Sequence, residues 1–168
     1  VANAGDVNGD GYGDIIAGAY LYDNPEVDEG AAFIFLGSST GISLVPNITL
    51  QSNQANAFFG YSVAGAGDVN GDGYSDVIVG AYNYTNNQAN EGVVFIFLGS
   101  PSGTITTYST LLEHNQSNAA FGFCVSGTGD VNGDGFSDIV IGSIKYSNGQ
   151  SEEGSVFVYG GSSTGINT

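Results

Sequence analysis

The chain has 168 residues, of which 41% are apolar and 12% aromatic, so it can bury a core and is not a disordered acidic tail. Its formal charge is −16, because 17 acidic residues face one lysine and no arginine. A chain with one cation cannot neutralise a row of phosphates, so nucleic acid and anionic membrane surfaces are poor partners and we expect no nucleic-acid binding. We also expect no membrane insertion, since no apolar run approaches the roughly 18 residues of a transmembrane helix.

One acidic, glycine-rich sequence occurs three times. The copies begin at Asp6, Asp68 and Asp130 and are 62 residues apart. Residues 6–67 and 68–129 align without a gap and are identical at 33 of 62 positions. A fixed period of this size indicates a stacked or circular repeat architecture. The three copies hold nine of the 17 acidic residues, and such clustered carboxylates repel one another unless a cation lies among them.

Each repeat predicts four β-strands. In the second repeat, residues 59–67 and 76–84 are rich in β-branched, aromatic and small residues, and both stretches are short for helices. Residues 91–100 predict a strongly apolar third strand, and the more polar residues 104–113 predict a fourth strand of the edge type. Four-stranded antiparallel sheets repeated in this way predict an all-β fold made of β-propeller blades.

The number of blades is not a whole number. The units span approximately residues 1–58, 59–120 and 121–168, so the chain holds about 11 strands and its third unit lacks the outermost one. This length corresponds to about 2.7 blades, whereas propellers close with roughly 4–8. The sequence therefore predicts a single propeller segment that is part of a longer propeller or is completed by homo-oligomerisation. Because the chain starts inside a strand and without Met, we expect a processed or excised piece.

The acidic loops have the composition of a metal site. Their side-chain oxygens stand at positions 1, 3, 5 and 9, position 6 is glycine, and position 7 can offer its backbone carbonyl. Ligation by oxygen alone favours Ca²⁺, whereas zinc prefers His or Cys. We therefore predict three Ca²⁺ sites. Their ligands are Asp6, Asn8, Asp10, Tyr12 and Asp14; Asp68, Asn70, Asp72, Tyr74 and Asp76; and Asp130, Asn132, Asp134, Phe136 and Asp138.

Two other interpretations of the loops were weighed. An EF-hand carries a bidentate Glu at position 12 and flanking helices. Position 12 here is Ala17, Val79 or Ile141, and a strand follows, so the carboxylate at position 9 closes the site instead. The second alternative is a set of acidic hairpin turns that bind no metal.

These motifs together resemble FG-GAP repeats, the blades of integrin α-subunit propellers and their bacterial relatives. The resemblance is carried by the acidic loops and by the pairs Phe59-Gly60, Phe121-Gly122, Gly18-Ala19 and Gly80-Ala81. The chain departs from the family pattern where Tyr20, Tyr82 and Ile144 replace proline, and where Gly142 is followed by Ser143. The resemblance implies a Ca²⁺-stabilised extracellular or cell-surface propeller for adhesion, with its metal loops on the face away from the ligand.

Other candidate residues give weaker signals. We expect His114 to be a solvated loop residue and the single cysteine, Cys124, to be a small buried strand residue. An acidic loop, Asp23 to Glu29, could supply paired carboxylates for glycosidic chemistry, although a solvated loop is the preferred interpretation. Two sets of residues recur in every repeat. A glutamate is expected to support a turn or an inter-blade hydrogen bond, at Glu29, Glu91 and Glu153. A tyrosine is expected to pack between blades or to contact a partner, at Tyr22, Tyr84 and Tyr146.

The sequence thus favours a non-enzymatic Ca²⁺-binding propeller module that binds a protein or glycan ligand. A subunit that assembles with itself into a ring or filament is the second hypothesis, because the odd blade count leaves two sheet ends uncovered. A polysaccharide-cleaving enzyme carried on this scaffold is the third.

Overall fold

The computed structural model describes residues 1–103 and 105–168, and these residues form 11 strands in three antiparallel sheets. In each sheet, strands adjacent in sequence are hydrogen-bonded neighbours. No helix occurs among the described residues. The strands are β1 (Ala2–Gly5), β2 (Asp14–Ala19), β3 (Ala31–Phe35) and β4 (Ile48–Gln51) in the first sheet; β5 (Ser62–Gly67), β6 (Asp76–Ala81), β7 (Val93–Phe97) and β8 (Thr110–Leu112) in the second; and β9 (Phe121–Gly129), β10 (Asp138–Ser143) and β11 (Ser155–Tyr159) in the third.

This arrangement confirms the all-β fold, the strand count and the three-stranded third unit. All four strands of the second sheet are shorter than predicted. The fourth strand of the second sheet covers only Thr110–Leu112, and Thr104, where the predicted strand begins, lies outside the described residues. Strand β5 begins at Ser62 and not at residue 59, and Phe59 instead forms a parallel bridge with Gly30, which directly precedes β3 of the first sheet.

A hydrophobic core lies on each side of the second sheet. The core shared with the first sheet contains Ile16 and Ile34, and the core shared with the third sheet contains Ile139 and Ile141. Every residue of β6 and β7 is buried. This burial on both faces explains why these two strands read as continuous apolar runs and not as the alternating pattern of a half-exposed sheet.

The two Phe-Gly pairs join one sheet to the next. Phe59 and Phe121 are fully buried in the two cores. The backbone N–H of Phe59 donates to the carbonyl of Glu29, and that of Phe121 donates to the carbonyl of Glu91, at 2.9 Å in both cases. The glycine that follows comes so close to the preceding sheet that a Cβ on Gly80 would collide with the Gly122 carbonyl oxygen.

Two sequence predictions about single residues were wrong. Cys124 is exposed, because no further sheet among the described residues packs against the face of β9 that carries its side chain. His114 is half-buried and not solvated. Its ring stacks on Phe157 with centroids 3.8 Å apart, and its Nε2 lies 2.8 Å from the Tyr159 hydroxyl. The polar neighbours of His114 in the sequence concealed this contact with the third sheet.

Candidate metal centre

The three acidic loops join the first and second strands of their sheets and share one conformation. In the first loop, the Asp6 carboxylate accepts hydrogen bonds from the N–H groups of Gly9 (2.7 Å), Asp10 (3.1 Å) and Gly11 (2.8 Å). Asp68 and Asp130 accept the equivalent three bonds in their own loops. Each loop is therefore wound around the carboxylate at its first position.

The third and fifth positions lie side by side in every loop. Asn8 Nδ2 donates to the Asp10 carboxylate at 2.9 Å, and the other oxygen of Asp10 accepts from the Tyr12 N–H at 2.9 Å. The same pairs form between Asn70 and Asp72 and between Asn132 and Asp134. Three oxygen-bearing side chains thus project from five consecutive residues, and the sixth, Gly11, has φ of +89°. Only glycine adopts that φ without strain.

The ninth position ties the loop to the sheet. Asp14 is buried, and its two carboxylate oxygens accept from the N–H of Val7 and the N–H of Gly37, both at 2.8 Å. Gly37 follows the third strand, so this one side chain connects the start of the loop, the start of β2 and the end of β3. Asp76 and Asp138 form the equivalent bonds, to Val69 and Gly99 and to Val131 and Gly161.

Burial sets the electrostatics of the ninth position. It raises the pKa of Asp14 above its ordinary value and raises the pKa of Asp76 to about 7, against the opposing effect of the two backbone hydrogen bonds. The neighbouring loop carboxylates raise both values further. The first position behaves in the opposite way. The pKa of the exposed Asp130 is lowered, chiefly by the hydrogen bond that its carboxylate accepts from the Gly135 N–H. A divalent cation would favour the ionised form of the buried acid.

The loops form a continuous row along one end of the three sheets. The Ser75 N–H donates to the Asp6 carbonyl at 2.9 Å, and the Ser137 N–H donates to the Asp68 carbonyl at 2.8 Å. The ring of Tyr74 lies where a side chain on Gly9 would be, and Phe136 lies in the same way against Gly71. The loop spacing predicted only a backbone carbonyl ligand at this seventh position. Its aromatic side chain has a second role, which is to pack on the preceding loop.

The donor set fits calcium in type and charge. Each loop offers three carboxylates, one amide and one carbonyl, and the loop sequences contain no lysine or arginine. Within residues 1–103 and 105–168, however, no three acidic, His or Cys side chains converge in a geometry that could hold a metal ion. In this conformation their oxygens accept hydrogen bonds from the loop's own N–H groups and from the asparagine amide. The ligand assignments therefore stay a prediction.

The recurring glutamates support the opposite end of the sheets. Glu91 is buried, and its Oε1 accepts from the N–H groups of Asn86, Asn87 and Gln88 at 2.7–3.0 Å. Glu29 is also buried and accepts from Gln51 Nε2 at 2.8 Å. Burial raises the pKa of Glu29. These side chains organise the turn before the third strand, and their carbonyls accept the Phe-Gly hydrogen bonds, so both expected roles are present.

The recurring tyrosines pack within their own sheets. Tyr22 packs edge-on against Phe33, and Tyr84 and Tyr146 pack in the same way against Phe95 and Phe157, with ring centroids 5.2–5.5 Å apart. The sequence patterns did not predict a second row of aromatic side chains. Its rings are half-exposed, touch across sheet boundaries and lie at the end of the strands away from the acidic loops: Tyr20, Phe58, Tyr61, Tyr82 and Phe123. The signal was available, since Tyr61 and Phe123 each follow a Phe-Gly pair.

The FG-GAP repeat family matches residues 1–35, 59–97 and 125–159, which together make up more than half of the chain. The chain belongs to the FG-GAP repeat family. Each matched segment contains one acidic loop and the first three strands of one sheet, except that the third segment begins inside β9. The match therefore follows the same period as the structure.

Integrin α-subunits are among the curated relatives. The chain is 35% identical over 160 residues to integrin alpha pat-2 of Caenorhabditis briggsae, an alignment that covers 85% of this chain and 13% of that protein. It is 34% identical over 145 residues to mouse integrin alpha-IIb, with 82% and 14% covered. It is 29% identical over 170 residues to human integrin alpha-8, with 98% and 15% covered. The chain thus spans about one seventh of the length of these relatives.

Among the described residues, no helix is long and apolar enough to cross a membrane.

Proposed function

We propose that this chain is a calcium-stabilised segment of an extracellular β-propeller that serves adhesion or ligand binding. The observation that carries the proposal is the row of three acidic loops, each wound in the same way, with a buried aspartate at its ninth position and no cationic side chain in its sequence. The similarity to integrin α-subunits supports the adhesive role. In this proposal each unit, at residues 1–58, 59–120 and 121–168, is one blade.

Calcium would be held by the side-chain oxygens of positions 1, 3, 5 and 9 and by the carbonyl of position 7. Ca²⁺ accepts about 6–8 oxygen ligands at irregular angles, and extracellular modules bind it with Kd of about 10⁻⁴–10⁻³ M. Three divalent ions would change the formal charge from −16 to −10. The ion would pin the hairpin between the first two strands, so its role in this proposal is to stabilise the fold and not to contact the ligand.

The ligand surface is proposed to lie at the other end of the strands. The second strand of each sheet runs from its acidic loop at Asp14, Asp76 or Asp138 to the turn that carries Tyr20, Tyr82 or Ile144. The exposed rings of Tyr20 and Tyr61 at that end can stack on a sugar or pack on a protein side chain. A protein or glycan ligand would therefore be bound without contact with the metal row.

The test is thermal unfolding with and without calcium. A site occupied at ten times its Kd stabilises the folded state by about 1.4 kcal/mol, and 1 kcal/mol corresponds to about 2–4 °C in a chain of this size. We expect saturating Ca²⁺ to raise Tm by roughly 10 °C for three sites, and a chelator to reverse the rise. An unchanged Tm would contradict the metal interpretation.

A matched set of variants assigns the effect to the loops. Asp10→Ser, Asp72→Ser and Asp134→Ser should each remove one equivalent of Ca²⁺ in a calorimetric titration. Glu26→Gln is the control, because Glu26 is an exposed carboxylate outside the loops. If the control lost as much binding as the loop variants, the ions would be held by net charge alone.

A further inference from the structure

A small cavity opens between the second and third sheets, at the end of the strands away from the acidic loops. It has a volume of about 120 Å³, and its walls include Tyr82, Asn83, Asn90, Asn118, Ala120 and Lys145. Lys145 is exposed and is the only Lys or Arg side chain of the sequence. Among the described residues, no acidic side chain lines this cavity. A chain with a charge of −16 thus places its one lysine on the wall of an inter-sheet cavity.

The junction between the first and second sheets has the same backbone conformation and an additional aromatic ring. Phe58 is the counterpart of Ala120, and the two residues have φ of +54° and +56°. The Phe58 ring stacks on Tyr82 with centroids 5.4 Å apart and packs edge-on against Tyr20 at 6.2 Å. One repeat later, the counterparts of Tyr20 and Tyr82 are Tyr82 and Ile144, and both line the cavity. The cavity therefore has the place and the size of one six-membered ring.

Two further differences between the junctions reverse the local charge. Asp28 of the first junction corresponds to Asn90 of the second, which removes a carboxylate. Asn83 corresponds to Lys145, which adds an ammonium group. The backbone is unchanged, since φ is +51° at Asp28 and +49° at Asn90. The second junction can therefore attract an anionic group, whereas the first repels one.

Three asparagine amides add hydrogen-bonding groups to the walls of the cavity. Asn83 Nδ2 donates to the Asn56 carbonyl at 2.8 Å, and Asn90 Nδ2 donates to Asn118 Oδ1 at 3.3 Å. These bonds hold the amides in place and use one end of each. In the described part of the chain, the carbonyl oxygens of Asn83 and Asn90 and the NH₂ group of Asn118 stay available to a ligand. Acceptors and a donor placed side by side suit the hydroxyl groups of a sugar.

We propose that this cavity binds a uronic acid, a sugar unit that combines a six-membered ring, hydroxyl groups and a carboxylate. The ring would pack between Tyr82 and Ile144, in the place that corresponds to the Phe58 ring. Its hydroxyl groups would bond to the asparagine amides, and its carboxylate would accept a charge-assisted hydrogen bond from the Lys145 ammonium group. The inference rests on the proposed function, because it takes this end of the strands as the ligand surface, and it names the class of glycan.

A protein ligand matches the cavity less well. An aspartate or glutamate side chain brings a carboxylate without a ring. A phenylalanine side chain brings a ring but no polar group, so it would leave Lys145 and the three amides without partners, which costs binding free energy. A uronic acid satisfies the ring-sized space, the amides and the lysine together.

The experiment is an NMR titration of the whole chain that follows the backbone amide signals, with saturating Ca²⁺ and about 0.15 M salt, which screens charges more than about 8 Å away. The probes are the methyl glycosides of glucuronic and galacturonic acid. Their controls are the methyl glycosides of glucose and galactose, which lack the carboxylate. We expect at least one acidic glycoside to shift the Ala120 and Lys145 signals and to bind at least about tenfold more tightly than its neutral counterpart. Phenylacetate, which has a ring and a carboxylate but no hydroxyl group, should bind more weakly than that acidic glycoside.

Matched variants locate the binding. Ala120→Phe restores the ring that the first junction carries at the same φ and should abolish binding. Ala55→Phe makes the same change at an exposed alanine outside the cavity and should leave binding intact. Lys145→Gln should weaken the acidic glycoside at least about tenfold without affecting the neutral one, and Lys145→Arg should restore the difference. Circular dichroism checks that each variant folds.

Several results would overturn the proposal. These are equal binding of acidic and neutral glycosides, undiminished binding by Ala120→Phe, and equally tight binding of phenylacetate, which would favour a protein side chain as the occupant. Binding that survives Lys145→Gln but is lost without calcium would assign the carboxylate to a metal ion. If calcium raises Tm and neither acidic glycoside binds, this inference fails and the proposed function stands. If an acidic glycoside binds as expected and calcium leaves Tm unchanged, the inference stands and the proposed metal role fails.

Discussion

The second and third sheets carry nearly the same residues in very different surroundings. Val94 and Ile96 of the second sheet are completely buried, whereas their counterparts one repeat later, Val156 and Val158, are about two-thirds exposed. Val69 and Val131, at the second position of their acidic loops, differ in the same way. The repeat determines which residue occupies a position, but the next sheet in the stack determines whether that residue is buried. Local sequence alone therefore cannot predict burial in this chain.

The largest loss of stability is expected on truncating Phe121, whose ring fills the core between the second and third sheets. Phe121→Ala removes the ring that fills the second core, and a buried Phe→Ala change costs about 3–5 kcal/mol. Phe123→Ala, two residues further on, removes a half-exposed ring that packs against Tyr61 and Tyr82 and should cost about 1 kcal/mol. Urea unfolding of both variants measures the difference. Equal losses would mean that the Phe-Gly pair does not hold the two sheets together.

A pair of identical substitutions one repeat apart compares the two faces directly. Val94→Ala should lower the free energy of unfolding by about 2 kcal/mol, because the side chain is fully buried. Val156→Ala should change it by less than about 0.5 kcal/mol, as is usual for surface positions. The urea midpoints of the two variants give the comparison. A large cost at Val156 would show that the face of the third sheet that carries this residue is covered in solution.

The smallest effect concerns the contact of His114 with the third sheet. Burial lowers the pKa of this imidazole in the folded state, so the unfolded chain binds more protons below its ordinary pKa of 6.5. Stability should therefore fall as the pH decreases through that value. Many carboxylates titrate at lower pH, so the measurement is the difference in urea midpoint between wild type and His114→Gln at pH 7.5 and 5.5. The wild type should lose more stability than the variant, and parallel losses would contradict a buried neutral imidazole.

The sequence was sufficient to predict what depends on period and residue type. The four-strand unit and the position of the acidic loops follow from alternation, turn residues and the 62-residue repeat. It was insufficient where contacts cross from one sheet to the next. Residue 59 was assigned to a strand of its own sheet, although it bridges to Gly30 of the preceding one. His114 and Cys124 were misjudged for the same reason, since the environment of each is set by the presence or absence of a neighbouring sheet.

In the candidate metal site, too, residue type and spacing could be predicted, whereas contacts between distant segments could not. The metal ligands of each loop were predicted from residue type and spacing. In the structure, the five predicted ligands of each loop lie on one hairpin. What spacing could not show is that the ninth aspartate is a hub between three backbone segments, or that Tyr74 and Phe136 pack on the preceding loop. Most of these contacts join residues that are distant in the sequence, as in the bond from the Gly99 N–H to Asp76, 23 positions away.

The Phe-Gly contact also bears on how such a chain can grow during evolution. The second and third units each supply a Phe-Gly pair to the unit before them, and the first and second units each supply the surface that receives it. A duplication of 62 residues therefore inserts one donor and one acceptor together, whichever residue it starts from, and leaves every existing interface with a matching partner. A duplication that is not a whole number of periods would break a blade and leave one surface unmatched. Tandem duplication in whole periods is thus the change in length that this architecture tolerates best.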